Sequence, residues 1–349
     1  MDLIRAYRKA IQRYLPLPDF TGVAIGWKEI GGKLIDEIGL TFFVPFKTNN
    51  PRVFIPRKLW GIETDIVEAV FHAPPPIMSV NMTEKASSEC TDYRSLIHRP
   101  TPAGVSIGHL LVTAGTLGGY FRWRGRWVAL SNKHVLAPEG KSNVGDEIYQ
   151  AGMYDLLRLK QDIIKGRWGT LRAFVPIDMI GEGECPIGKF TKGVFNILSN
   201  ALGRHTYLVQ MTFNEVDCAI AEPTTQDFVL NEVIGIGEIT GIRTDYKRMM
   251  EEKTRVWGSG RTTCVREGYV AYYPMAINVS YGVSGFAVFW KQVGFRTDKP
   301  PFIQGGDSGS LAFDEDKRVV ALRFAGSRDG NLGVGNRIDL VMEKLKLNL

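Results

Sequence analysis

The sequence predicts an all-β double-barrel domain behind a small α+β unit. Short β-like runs recur between Gly-rich turns after about residue 100. Nearer the amino terminus, two apolar β-like runs flank a glycine pair. A proline-rich stretch without periodicity divides the two regions. The expected boundaries are 1–72 for the amino-terminal unit, 73–100 for a linker and 101–349 for the barrels. The barrels fall at about 101–222 and 223–349, with an insertion at about 138–205.

The chain opens with Leu3, Ile4, Ile11 and Leu15 among Arg5, Arg8, Lys9, Gln12 and Arg13, which is amphipathic helical spacing. It lacks the continuous apolar run and small-residue cleavage site of a secretion signal. No stretch approaches the roughly 18 apolar residues needed to span a bilayer. Two runs, 21–26 and 38–44, are joined by Gly31-Gly32, and a third covers 64–70. The linker carries Pro74-Pro75-Pro76 and the polar stretch 83–89. Further strands are expected at 110–113, 127–131, 206–211, 216–221, 233–239, 269–273, 286–290, 310–313 and 319–324. The apolar residues Leu340, Val341 and Leu345 share one helical face and predict a terminal helix.

Composition is that of a folded protein: of 349 residues, 44% are hydrophobic and 23% charged, which excludes a largely disordered chain. Cys90, Cys185, Cys218 and Cys264 form no C-x-x-C pair, so free thiols are expected and a structural zinc site is not. Sparse cysteine and the absent signal together predict a cytoplasmic protein. Net charge is +6. Its most concentrated patch, residues 121–127, alternates Phe121, Trp123 and Trp127 with Arg122 and Arg124, and reads as a β-hairpin turning at Gly125.

Candidate chemistry begins at Gly305-Gly306-Asp307-Ser308-Gly309. A serine between glycines on a tight turn exposes its hydroxyl, and the Gly306 and Ser308 N–H groups converge as oxyanion donors. Serine needs a base. Of five histidines, only His134 immediately follows a hydrophobic strand, 127–130. The imidazole in turn needs a buried acceptor, and Asp217 lies inside an apolar run where an unpaired charge is costly. The chain order His134, Asp217, Ser308 is that of the chymotrypsin class and differs from subtilisins and α/β-hydrolases.

On these residues the chain resembles the trypsin-like serine peptidases, and within them the bacterial and plant narrow-leaf-type branch. The matching segments are 104–109, 114–118, 130–137, 216–221, Gly260-Arg261-Thr262-Thr263, 306–310 and 324–327, with 22–70 similar to that branch's amino-terminal extension. The resemblance implies a serine endopeptidase acting on protein or peptide substrates through His134, Asp217 and Ser308. It implies no cofactor and no metal. It places Phe302 at the base of a substrate pocket walled by Arg323, Phe324, Ala325 and Gly326, which favours small or medium apolar side chains. It also likens Gly104-Val105-Ser106-Ile107 to the segment that becomes a free amino terminus in secreted relatives. Here that segment is internal, so the Asp307 charge must meet backbone N–H groups or an arginine. Membrane and nucleic-acid partners are not expected, and a homo-oligomer is left open. Two other readings stand beside this one: a trypsin-fold scaffold or binding protein without activity, and a basic nucleic-acid-binding protein.

Overall fold

The computed structural model describes residues 1–30, 33–73, 89–180 and 212–349. The expected strand at 206–211 therefore lies outside the described residues, as do Gly31-Gly32, the proline triplet and Cys185.

The first half of the barrel domain is a seven-stranded antiparallel sheet. Its order runs Gly115–Thr116, Ser106–His109, Glu147–Tyr149, Arg167–Phe174, Ala219–Pro223, Arg126–Ser131, Gly119–Trp123. Two of these strands fall inside the stretch expected as an insertion. The strand expected at 110–113 is instead a turn, because the preceding residues Ser106–His109 take the ladder. The Arg-Trp patch is a hairpin, with Arg124 and Gly125 both at positive φ, the combination a two-residue turn demands. Its arginines lie over its own tryptophans, Arg122 at 3.8 Å from the Trp127 ring and Arg124 at 4.4 Å from Trp123.

The second half closes on itself. Phe286–Arg296, Leu332–Arg337, Arg318–Ser327, Leu311–Phe313, Arg255–Gly260 and Cys264–Ser280 pair in that order, and the last pairs back onto the first. Closure removes the free edges that an open sheet exposes. The fold is thus the mostly β, chymotrypsin-like double barrel expected from the sequence. The terminal helix Ile338–Leu345 packs Leu340, Val341 and Leu345 inward against the first barrel's core.

The amino-terminal unit has a helix, Leu3–Tyr14, whose N-cap Asp2 accepts from the Arg5 N–H at 2.9 Å. Its buried face is Ala6, Tyr7, Ala10, Ile11 and Tyr14, whereas Ile4, expected on the apolar face, is exposed. Strand Gly22–Ile30 pairs with Lys33–Val44, which pairs in parallel with Ile62–Glu68. The same strand Gly22–Ile30 also adds onto Cys264–Ser280, so the unit's sheet continues into the second barrel. They share a core: Tyr7, Val23 and Phe42 lie in one cluster with Val270, Phe295 and Phe302.

One sequence expectation is corrected here. Cys90 and Cys264 form a disulfide, 174 residues apart in the chain, because the helix Glu89–Arg94 packs beside the start of Cys264–Ser280. Free thiols were expected because sequence spacing shows no pairing; the bridge withdraws the support they lent to a reducing compartment. Cys218 is free and buried. Among the described residues no helix is long and apolar enough to cross a membrane.

Candidate active site

His134 lies in a one-turn helix, Lys133–Leu136, directly after strand Arg126–Ser131. Asp217 precedes strand Ala219–Pro223 by two positions, and the Ser131↔Ala219 pairing brings the two ends together. Asn132, fully buried, donates to the Asp217 carbonyl at 2.7 Å, and the Asp217 N–H donates to Asn336 at 2.9 Å. The backbone around the carboxylate is thereby held on both sides.

The carboxylate is richly partnered. His134 Nδ1 lies 2.6 Å from Asp217 Oδ2, and the His134 N–H donates to Oδ1 at 3.2 Å. Tyr281 Oη donates to the same Oδ2 at 2.7 Å, its ring edge-on to the imidazole. Asp217 is fully buried, which by itself raises a carboxyl's pKa. The His134 charge and the hydrogen bonds from His134 and Tyr281 outweigh that burial and hold it below the usual value. The same surroundings, burial first and then the Asp217 charge, push the Tyr281 hydroxyl well up. It therefore stays a donor.

The turn bearing Ser308 belongs to the second barrel but is gripped by the first. Thr116 donates through its N–H to the Ser308 carbonyl and through Oγ1 to the Gly306 carbonyl, both at 2.8 Å. Gly306 and Gly309 have φ of +94° and +93°. A Cβ on Gly306 would run into Thr262 Oγ1, and one on Gly309 into Ser131 Oγ, so the Gly-x-x-Gly frame is required by conformation and by space. Ser308 Oγ donates to the Phe324 carbonyl at 3.3 Å, and His134 Nε2 has no partner among the described residues. The hydroxyl and the imidazole are thus not joined in this conformation.

Asp307 anchors the turn from behind. Its Oδ1 accepts from Thr262 N–H at 2.8 Å and Thr263 N–H at 2.9 Å, and its Oδ2 from Gln304 N–H at 2.9 Å. These are the backbone donors the internal position of Gly104–Ile107 calls for. Two buried arginines add positive field: burial lowers both Arg94 and Arg323 to about 10, with the Asp307 charge acting against it. Arg94 Nη1 donates to Gly104 O, Ser259 Oγ and Gly260 O at 3.1, 2.8 and 3.0 Å. Removing it strands three buried acceptors. Arg94→Ala is expected to lower the unfolding free energy by ~3 kcal/mol in urea titration, with the denaturant slope unchanged.

The expected pocket residues are arranged differently from the expectation. Phe302 is fully buried, its ring 5.5 Å from Phe295 and 5.0 Å from the Arg323 guanidinium. Arg323 is equally buried, donating to Ser310 Oγ at 2.9 Å and the Phe302 carbonyl at 2.7 Å. Both side chains fill the second barrel rather than line an open pocket. Phe324 packs on Phe289, and Ala325 is buried in the same cluster. Gly326 pairs with His72 of the amino-terminal unit. Tyr281 escaped the sequence reading: Ser280-Tyr281-Gly282 has no motif, and only the sheet brings it to Asp217.

No protein-family model matches the chain, and no curated protein does. Solved structures similar to it include Thermobifida fusca protease A, at 14% identity and a TM-score of 0.43, covering 71% of this chain and 97% of that one. Nocardiopsis protease aligns at 13% identity and a TM-score of 0.44, with the same coverage. A glutamic-acid-specific serine protease, described as using a histidine triad in substrate binding, aligns at 12% identity and a TM-score of 0.43, covering 71% of this chain and all of that one.

Proposed function

We propose that this chain is a serine endopeptidase of the trypsin-like class, resembling its narrow-leaf-type branch, and that it cleaves protein or peptide substrates through an acyl-enzyme. The observation that carries this reading is the buried carboxylate–imidazole pair, Asp217 Oδ2 to His134 Nδ1 at 2.6 Å, in one fold with the glycine-framed turn of Ser308. Asp217 fixes the imidazole with its Nδ1 proton toward the carboxylate, leaving Nε2 as the free base. On this reading Ser308 Oγ leaves the Phe324 carbonyl and donates to Nε2 when substrate binds. The hydroxyl then attacks the carbonyl as Nε2 takes its proton, and the Gly306 and Ser308 N–H groups receive the oxyanion. The same proton goes to the leaving amine, and water releases the acyl group.

The test is an adduct. A fluorophosphonate should label folded protein on Ser308, shown by peptide mapping, and hydrolysis of a peptide library should stop when that site is full. An adduct on another serine would sink the assignment.

Tyr281, a second donor to the same Asp217 oxygen, supports the reading. Tyr281→Phe removes one donor from a buried charge, worth ~1.5–3 kcal/mol, so kcat should fall by roughly 10- to 100-fold while KM stays within about twofold. Because the folded pKa of Asp217 is depressed, its ionisation stabilises the protein above the ordinary carboxylate range, and that stability is lost as pH falls through the folded value. Removing the Tyr281 donor depresses it less. Acid unfolding of Tyr281→Phe should therefore begin at a higher pH than in the unaltered protein, and an unchanged acid midpoint would count against this role.

A further inference from the structure

We infer that the segment Phe71–Ala73 is an intrachain occupant of the peptide-binding edge, so that this conformation of the enzyme is latent. The inference rests on the peptidase reading above. To hand its carbonyl to Ser308, a substrate must lie extended along a sheet edge that leads to Ser308, pairing by its backbone. Such an edge begins at Phe324, whose carbonyl accepts from the Ser308 hydroxyl, and continues through Ala325, Gly326 and Ser327. In this structure the chain's own residues occupy its far half, at Gly326 and Ser327. Phe71–His72 pairs antiparallel with Gly326–Ser327, in the register Ser327↔Phe71 and Gly326↔His72. Reading on from Phe71 to His72, the segment therefore runs toward Phe324 and the nucleophile, the direction an acyl-side peptide would take.

The opposite edge of the segment is also engaged. Phe71 and His72 pair in parallel with Val279 and Ser280, and the Ala73 N–H donates to the Ser280 carbonyl at 3.0 Å. Tyr281, the donor to Asp217, is the next residue. Phe71 is fully buried against Phe43 at 5.3 Å, and Ala73 is 1% exposed. In the same conformation Ser308 is only 1% exposed, and the buried His134 Nε2 is unpartnered among the described residues. A substrate chain cannot pair with Gly326 and Ser327 until the segment leaves.

His72 is the place to test this, because its side chain is exposed while its backbone is paired. His72→Pro removes the N–H and fixes φ without taking away a packed group, whereas His72→Ala leaves the backbone competent. The rate of Ser308 labelling by a peptidyl phosphonate is measured by intact mass on the full chain. His72→Pro should label about tenfold faster than the unaltered protein, and His72→Ala within about twofold of it. Equal rates for folded His72→Pro and unaltered protein would overturn the latch while leaving the nucleophile standing. If Ser308 is labelled in neither, the peptidase reading falls and the latch with it. A second measurement needs no variant: once the unaltered protein carries the peptidyl adduct, the amides of 71–73 should lose protection from hydrogen exchange. Unchanged protection on the adduct would likewise overturn the proposal.

Discussion

His134→Ala is expected to lower peptide turnover as far as Ser308→Ala does, by on the order of 10⁶-fold, and the double variant should cost little more. On the proposed reading the two groups act as one unit: without Nε2 nothing takes the Ser308 proton during attack, and without the hydroxyl the imidazole has nothing to activate. The geometry gives a reason for the size of the effect. His134 is held on its Nδ1 side at 2.6 Å by a fully buried carboxylate. Among the described histidines, His109 is the other with a carboxylate partner, Asp146 at 3.2 Å. Single-turnover kinetics on unaltered and variant proteins, after matching their melting temperatures, would check this. Retention of more than about a hundredth of the activity in folded His134→Ala would remove it from the role of base.

Asp217→Asn should cost about 10⁴-fold in kcat with the fold intact. The carboxylate accepts from His134 Nδ1 and Tyr281 Oη at Oδ2, and from the His134 N–H at Oδ1. An amide placed there presents one oxygen and one NH₂ group. Whichever way it turns, a donor faces a donor unless the imidazole changes tautomer, and the changed tautomer carries its proton on Nε2, where the base is needed. The variant should also lose the pH-linked stability of the depressed carboxylate. Its unfolding free energy would then vary less than that of the unaltered protein between pH 5 and the acid transition, measured by urea titration at each pH. A kcat within tenfold of the unaltered protein would show that His134 is oriented by other means.

Much of the site was legible because its parts are local. Gly306, Ser308 and Gly309 are adjacent, and the need for positive φ and close approach on both sides of the serine writes glycine directly into the sequence. His134 is found by the apolar strand that delivers it, and Asp217 by a charge set in an apolar run. The basic hairpin declares itself through alternation and a turn glycine. The amphipathic start and the terminal helix follow from residue periodicity, although the buried face of the first helix uses Ala6, Tyr7, Ala10 and Tyr14 more than Ile4.

Sequence by itself therefore determined the strand-rich class, the tight turn at Ser308 and the order of the three candidate catalytic residues, each expressed within a few neighbouring positions. Tertiary structure alone decided what lies across the sheet from each of them. Tyr281 reaches Asp217 from the end of a long strand, Cys90 meets Cys264 over a separation of 174 residues, and Phe71–His72 enters the edge beside Ser308. It also turned Phe302 and Arg323 inward, where burial and mutual packing outweigh any role at an open pocket. The physical reason is common to all four. A hydrogen bond, a disulfide or a buried contact depends on which strands the closed barrel brings side by side, and that pairing is a property of the whole sheet rather than of any segment in it.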